Sequence, residues 1–478
     1  MAAKSTLNSK NLEALGAERL AELLIELSTG NAAAKRRLRL ELAGASNPGE
    51  IAKEVRKRLS TIARSRSFID WHNQRALIDD LEAQRSAIAD KISKIDATEA
   101  FELMWRFLAV AESVYNRCDD SNGRVGEVFY DARFNLGALT KLAHPLPEKL
   151  ADQIYEALQH NGYGQYDGLI GLLSDSLGNE GLEHLKKKMM ALSKEKIKRP
   201  PDKERCPVAY GSGGTIYADE LEESSRKRTV KSALMAIADA QGDVDAFMAQ
   251  YDKKTRKVPV IAAEIAERLL ASGRADEALK VIESAEHRGE DWVTFEWEDA
   301  RINILEALGR PDEAQEARWG CFKKSLSEDH LRSYLQRLPD FDDEEAQLKA
   351  FDYVQGVKYF HSALAFFIDW PALDRANKLV LDRSKEVDGN TYELLTQASQ
   401  QLAGKYSLAA TILLRKMIDY SLKNAKSTRY RHAAKHLMEC SSLSASIDDY
   451  LKFESHDAFV SRLKKEHGKK LGFWSLLD

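Results

Sequence analysis

Proline and glycine, the residues that most strongly interrupt helices, are scarce in this sequence. The 478 residues include only 10 prolines and 26 glycines, so long non-helical stretches have little support. Alanine, leucine, glutamate, lysine and arginine, which favour helices, are abundant. The composition therefore predicts an all-α protein.

Cysteine is scarce as well. The chain has four cysteines, Cys118, Cys206, Cys321 and Cys440, which lie far apart and form no Cys-x-x-Cys pair. This spacing favours reduced, mostly buried thiols over disulfides or a zinc site. We accordingly expect no metal and no cofactor.

The sequence also lacks long apolar runs. No run approaches the roughly eighteen residues of a membrane-spanning helix, and the first residues lack the apolar core of a signal peptide. We therefore expect a cytoplasmic protein without a membrane partner. The formal net charge of -4 gives no overall attraction to nucleic acid, so any such binding must be local.

Signatures of catalysis are missing too: there is no Gly-x-Ser-x-Gly, no Walker loop and no His-Glu-x-x-His. His432 and His436 share a helix face and could hold a metal ion if a third ligand converged. Their neighbours Arg431 and Lys435 disfavour a cation there, and an exposed basic helix is the preferred interpretation. The sequence predicts a protein that is not an enzyme. The remaining alternative, an enzyme with an unrecognised site, predicts a pocket where polar side chains from separate helices converge.

What the chain does contain is an internal repeat. The ten residues Leu269 to Ala278 return as Leu305 to Ala314, with seven of ten identical and an offset of 36 positions. In both copies a helical pattern ends at a glycine, and an acidic pair followed by alanine opens a second helix. A helix hairpin repeated at this period is typical of tetratricopeptide-like (TPR-like) α-solenoids.

The repeat suggests how the chain is divided. Residues 193–228 are charged and contain Pro200-Pro201 and a glycine cluster, which predicts a basic linker. It would join an N-terminal helical region, 1–192, to a TPR-like repeat domain, 229–478. Further hairpin turns are predicted near Gly242, near Pro371 and at Gly404 to Tyr406.

Two polar loops in the N-terminal half are candidate sites. Residues 161–168 hold three glycines and two tyrosines, which makes this loop the best ligand-pocket candidate of that half. Its spacing matches no phosphate or dinucleotide motif, so a packed corner between helices is the default interpretation. Residues 118–123 contain Asp119 and Asp120 but lack the ligand pattern of a calcium loop, and a plain connection is favoured.

The tail ends in Phe473 and Trp474, which are too apolar for a free, solvated end. We expect them to dock on the last hairpin and to leave Lys469 and Lys470 outside, beside Arg431 and Lys435. These four cations form the predicted partner-binding surface. The rival interpretation is that the two aromatic residues themselves bind a partner.

Residues 406–474 contain a Tyr-x-x-Ala-Ala turn, a Tyr-x-His-Ala-Ala-x-x-Leu helix and a His-Gly-Lys-Lys-x-x-Phe-Trp ending. With these motifs the tail resembles the C-terminal helical-repeat segment of bacterial proteins that carry a SWIM zinc finger. The N-terminal half, around Arg58 to Trp71, resembles a bacterial family of unknown function that shares this tail. The Cys-x-Cys and Cys-x-His of the finger are absent, so the resemblance implies neither zinc nor DNA binding.

The sequence thus predicts a non-catalytic scaffold for protein–protein interaction, with protein partners of unknown identity. The alternative is a nucleic-acid-associated protein that binds through basic segments, mainly Lys35 to Arg66 and Lys186 to Lys231. Solvated helix faces are the simpler account of those segments.

Overall fold

The computed structural model describes residues 6–46, 48–195, 199–211, 214–286 and 295–477. The chain divides into two compact units, Met1–Asp252 and Lys253–Asp478. Residues 193–228, the predicted linker, fall in the first unit. The prediction of an all-α protein is confirmed, because a single two-stranded hairpin is the only sheet in the described ranges.

The first unit contains helices α1 to α13 and the hairpin strands β1 and β2. In chain order these are α1 (Ser9–Glu13), α2 (Ala17–Ser28), α3 (Ala32–Ser46), α4 (Pro48–Arg64), α5 (Trp71–Ser86), α6 (Ala97–Ala109), α7 (Ala111–Tyr115), α8 (Arg124–Ala143), α9 (Pro147–Gln159), α10 (Leu169–Leu172), α11 (Ser174–Lys194), β1 (Pro207–Gly211), β2 (Gly214–Tyr217), α12 (Ala218–Gln241) and α13 (Val244–Ala249). A π-helical segment, Ala87–Ile92, follows α5 directly.

Helix α6 lies at the centre of this unit. The side chain of Asp96 accepts a hydrogen bond from the Glu99 amide at 2.9 Å and so caps the start of this helix. Further along the helix, Phe101, Trp105 and Phe107 are buried. Helix α6 packs against α8 and α4, while α11 packs against α9 and α12.

The β-hairpin was not predicted. Its strands are antiparallel and lie largely exposed between α11 and α12. Arg205 fixes it to the start of α12: the guanidinium donates to Asp219 at 3.0 Å and lies 3.9 Å from the centre of the Tyr217 ring. A backbone bond from Ala218 to the Cys206 carbonyl, at 2.9 Å, closes the base of the hairpin.

The second unit contains helices α14 to α26. In chain order they are α14 (Pro259–Ala271), α15 (Ala275–Glu283), α16 (Phe295–Ala307), α17 (Pro311–Ser325), α18 (Glu328–Leu335), α19 (Asp342–Gln355), α20 (Phe360–Asp369), α21 (Leu373–Arg383), α22 (Tyr392–Ala403), α23 (Ser407–Lys423), α24 (Tyr430–Ser444), α25 (His456–His467) and α26 (Leu471–Trp474). Helix α14 packs against α15 and α16, α16 against α17, and α22 against α23.

The two copies of the repeat form the same turn. Gly273 and Gly309 have φ of 78° and 69°, the left-handed conformation that favours glycine. After each glycine an arginine amide bonds to the carbonyl five residues earlier, Arg274 to Leu269 at 2.8 Å and Arg310 to Leu305 at 2.9 Å. Both turns therefore join two helices with the geometry of a Schellman cap.

The predicted later turn at Gly404 differs in its backbone. Gly404 has φ of -70°, so it continues the right-handed conformation at the end of α22. Two residues further on, the Tyr406 amide bonds to the Leu402 carbonyl at 2.7 Å, directly before α23 begins. The following Ala409 and Ala410 are fully buried, which lets α22 and α23 approach closely.

The cysteines are free, as expected, and Cys118, Cys321 and Cys440 are buried whereas Cys206 is exposed. Burial raises the pKa of the Cys321 and Cys440 thiols to about 12. Among the described residues, no helix combines the length and apolar character needed to cross a membrane. In the same ranges no three histidine, cysteine or acidic side chains gather where a metal ion could be held.

Candidate functional site

The C-terminal helix α26 packs against the core of the second unit. Phe473 is fully buried, and its ring meets that of Tyr430 edge to face with centroids 6.1 Å apart. Trp474 is half-buried against the same core, and its indole Nε1 donates to the His467 carbonyl at 3.0 Å. The expectation that both aromatic residues dock is confirmed, and the contact holds α26 against α24.

The four predicted partner-binding cations lie on these two packed elements. Arg431 and Lys435 are one helical turn apart on α24 and are both exposed. Lys469 is exposed directly before α26, whereas Lys470 is half-exposed at its N-cap. The ammonium of Lys435 lies 3.7 Å from a carboxylate oxygen of Glu439 on the same helix. We call these four residues the C-terminal basic surface.

The two histidines beside this surface differ in environment. His432 is exposed, whereas His436 is half-buried with its Nδ1 3.3 Å from Glu439. Burial lowers the pKa of His436, against the opposing effect of Glu439. Burial therefore favours the neutral form of His436, which lies on the same helix as Arg431 and Lys435.

A buried cation lies beneath the C-terminal helices and has no counterpart in the sequence predictions. Arg415 on α23 donates from Nη1 to the Glu454 carbonyl at 2.6 Å and lies 4.6 Å from the centre of the Phe459 ring. Its Nε and Nη2 have no hydrogen-bond partner within the described part of the chain. Burial accordingly lowers the pKa of Arg415.

The basic stretch of the first unit, Lys35 to Arg66, is partly turned inward. Arg36 and Arg58 both approach the buried carboxylate of Asp80, at 3.5 Å and 2.8 Å. Arg56 pairs with Glu99 on α6. Several cations of this stretch thus hold helices together, which reduces the number that remain for an outside phosphate.

The second basic stretch, Lys186 to Lys231, is paired in a similar way. Lys188 donates to Asp152 at 2.6 Å, Arg226 donates to the Glu195 carbonyl at 2.8 Å, and Lys227 lies 2.6 Å from Glu223. Each of these three cations therefore has an oxygen partner on the protein.

The acidic loop 118–123 caps helix α8. The two carboxylate oxygens of Asp120 accept hydrogen bonds from the Val125 and Gly126 amides, both at 2.8 Å. The Asp119 carboxylate accepts the Ser121 amide at 3.0 Å. Both carboxylates therefore serve the loop itself, in agreement with the interpretation as a plain connection.

The loop 161–168 is fixed by its tyrosines. Tyr166 is buried beside Trp105, and burial raises the pKa of its hydroxyl to about 12. Tyr163 stacks on Tyr115 with ring centroids 4.8 Å apart, and its hydroxyl donates to Asn116 at 2.7 Å. The loop is a packed corner, as the default interpretation held.

The same loop also lines a cavity. Together with one face of α12 it encloses about 440 Å³, within the size range of small-molecule pockets. From α12 come Arg228 and three hydroxyl residues, Ser225, Thr229 and Ser232, while Asp167 lies on the loop side. Sequence reasoning identified the loop but missed α12, because the two walls are about sixty positions apart and only tertiary packing brings them together.

Comparison with known proteins identifies the chain as a member of a family of unknown function, DUF6880, whose model matches residues 2–476. No curated protein and no solved structure matches it.

Proposed function

We propose that this member of the DUF6880 family is a non-catalytic scaffold for protein–protein interaction, built on TPR-like helix hairpins. The observation that supports this most is the repeated turn. Two sequence copies offset by 36 residues form the same cap, with the same ion pair: Arg274 with Glu277, and Arg310 with Glu313. A unit that recurs in both sequence and geometry is typical of stacked repeats.

The packing of the second unit supports the same interpretation. The repeat helices meet their neighbours in order, α14 with α15 and α16, α16 with α17, and α17 with α18. Ala278 and Ala314 occupy equivalent positions in the two copies, and both are completely buried. Small residues at the same place in each hairpin allow the close approach that a solenoid requires, and stacked hairpins present an extended binding surface.

The C-terminal basic surface is the contact region that we propose for a protein partner. It stands on two elements joined through Tyr430 and Phe473, so its cations are carried by a rigid support. An acidic segment of a partner would match Arg431, Lys435, Lys469 and Lys470 in charge. Because Phe473 is buried, its ring is not accessible to a partner, whereas Arg431, Lys435 and Lys469 are exposed.

Nucleic acid is the alternative partner. The inward pairing of Arg36, Arg56 and Arg58 favours a protein partner instead, since phosphate recognition needs free cations along one face. The zinc-finger resemblance of the tail brings no activity to this chain. We also propose that the protein is located in the cytoplasm and does not catalyse a reaction.

Affinity capture tests the proposal. The full-length chain is immobilised and exposed to native lysate, with and without nuclease, and the captured material is identified by mass spectrometry. A scaffold predicts that specific proteins are captured in equal amounts with and without nuclease. Capture that disappears after nuclease treatment and weakens steeply with salt would support nucleic-acid binding and contradict the proposal.

A further inference from the structure

A cavity in the first unit has the features of a small-molecule site. Its volume of about 440 Å³ is enclosed between the loop 161–168 and α12, and both walls belong to the same compact unit. Its lining combines buried side chains, Tyr166 and Ile170 among them, with a larger number of polar groups. A cavity of this size in which several polar groups converge is a candidate site for a hydrophilic ligand.

The loop wall is rigid. Asn161 donates from Nδ2 to the Asp167 carboxylate at 2.6 Å, and its Oδ1 accepts the Tyr166 amide at 2.8 Å. Gly164 has φ of 75°, and a Cβ there would lie only 2.9 Å from Asp167 Oδ2. The position of Asp167 is therefore determined by the loop before any ligand arrives, which lowers the entropic cost of binding.

The helix wall presents one cation and three hydroxyl groups. Ser225, Arg228, Thr229 and Ser232 follow the spacing of one helix face and all line the cavity. Among the residues described, no carboxylate lies within 4.0 Å of the Arg228 guanidinium. Its neighbours Arg226 and Lys227 do have acidic or carbonyl partners on the protein, so Arg228 is distinct on this segment of α12.

Asp167 is the opposite charge on the loop wall. Its carboxylate has the Asn161 amide as a partner but no cation within 4.0 Å in the described ranges, Arg228 included. The cavity thus contains a positive and a negative group that do not neutralise each other. A ligand that satisfies both needs an acid group for Arg228 and a hydrogen-bond donor for Asp167.

From this arrangement we infer that the cavity binds a small hydrophilic molecule that carries both an acid group, phosphate or carboxylate, and an amino or hydroxyl donor. The acid group contacts Arg228 and the hydroxyl groups of α12, and the donor contacts Asp167. Free amino acids and phosphorylated sugars or nucleosides both have this chemistry. The inference is independent of the proposed scaffold function, because it concerns the other unit.

Titration calorimetry on the full-length chain tests the inference with defined probes at millimolar concentrations. One arm uses the free α-amino acids, a second uses sugar phosphates and nucleoside monophosphates, and a third uses inorganic phosphate alone. We expect binding in the first or the second arm, and the arm that binds identifies the acid group. Failure of both these arms, or binding of inorganic phosphate only, overturns the inference.

Three variants locate the site. Arg228→Ala should weaken binding of the active probe by about tenfold or more, the usual effect of losing a charge-assisted hydrogen bond. Lys227→Ala removes the same charge one residue away, outside the cavity lining, and should leave affinity unchanged. Asp167→Asn keeps an oxygen that can accept the hydrogen bond from Asn161 but removes the negative charge, so it should weaken binding of the active probe. Equal losses in Arg228→Ala and Lys227→Ala would overturn the assignment of the site.

Discussion

The ring of Phe473 meets that of Tyr430 edge to face, with centroids 6.1 Å apart and planes at 76°. This contact joins the last helix of the chain to α24, the helix that carries Arg431 and Lys435. It also covers apolar surface at the C-terminal end of the second unit, where Phe473 is completely buried. Stability and the presentation of the C-terminal basic surface are therefore linked through one side chain.

Truncation of Phe473 should destabilise the second unit. Removing a buried phenylalanine side chain leaves a cavity and typically costs about 3 to 5 kcal/mol. Phe473→Ala should lower the free energy of unfolding by this order, measured by chemical denaturation. Leu471→Ala is the matched control, because Leu471 is 76% exposed and its loss should change little. Equal effects of the two substitutions would show that Phe473 is not docked.

The repeated turn predicts opposite effects for two glycines of one hairpin. Gly309 has φ of 69°, so Gly309→Ala places a side chain in the left-handed region at a cost of about 1 to 2 kcal/mol. Gly320 lies within α17 and has open space around it, so Gly320→Ala should stabilise by about 0.5 to 1 kcal/mol. Thermal unfolding of both variants checks the signs. A gain in stability for Gly309→Ala would contradict the left-handed backbone conformation of Gly309 in this turn.

The neutral state of His436 predicts a pH dependence. Burial lowers the pKa of this imidazole below its ordinary value of 6.5, so the unfolded chain takes up the proton at a higher pH than the folded chain. The stability that the buried, neutral imidazole contributes is complete at pH values above the pKa of His436 in the unfolded chain. It is lost as the pH falls through the lower pKa of His436 in the folded chain. His436→Gln should flatten the dependence of the unfolding free energy on pH in this range.

His432→Gln serves as the control for this measurement, because His432 is exposed on the same helix. It should change the slope much less than His436→Gln does, because His432 is only a minor cause of the shift at His436. His456, whose pKa is also lowered by burial and by Arg415, leaves a residual slope in His436→Gln. Identical slopes in the wild type and His436→Gln would contradict the assignment.

Arg415 is a buried cation whose Nε and Nη2 have no partner in the described ranges. Arg415→Met keeps a long side chain and removes a buried charge whose desolvation opposes folding, at the loss of one hydrogen bond to the Glu454 carbonyl. We expect the unfolding free energy of Arg415→Met to equal or exceed that of the wild type. A clear loss of stability would mean that the guanidinium has a further partner.

Local features of this fold could be predicted from the sequence, because they depend on neighbouring residues. Asp96 caps α6 by accepting a hydrogen bond from the amide of Glu99, three residues later. The glycine of each repeat ends a helix because it adopts the left-handed backbone conformation. The burial of Phe473 followed from its apolar character near a chain end. Each of these inferences needs only a few consecutive residues.

Features that depend on distant packing could not be predicted. The hairpin at β1 and β2 is held by Arg205, which pairs with Asp219 fourteen positions later, and its glycines and prolines indicated only a linker. The cavity forms only because packing places Arg228 of α12 and Asp167 of the loop 161–168 around the same space. Nothing in the local pattern around Arg415 distinguishes this buried cation from a solvated one.

The binding of the captured partner to surface variants tests the scaffold most directly. Arg431→Glu with Lys435→Glu reverses two charges of the C-terminal basic surface. Lys378→Glu with Lys385→Glu reverses two exposed charges elsewhere in the same unit. If this surface binds the partner, the first pair of substitutions abolishes nuclease-resistant capture while the second leaves it intact. Undiminished capture by the Arg431 and Lys435 variant would contradict it.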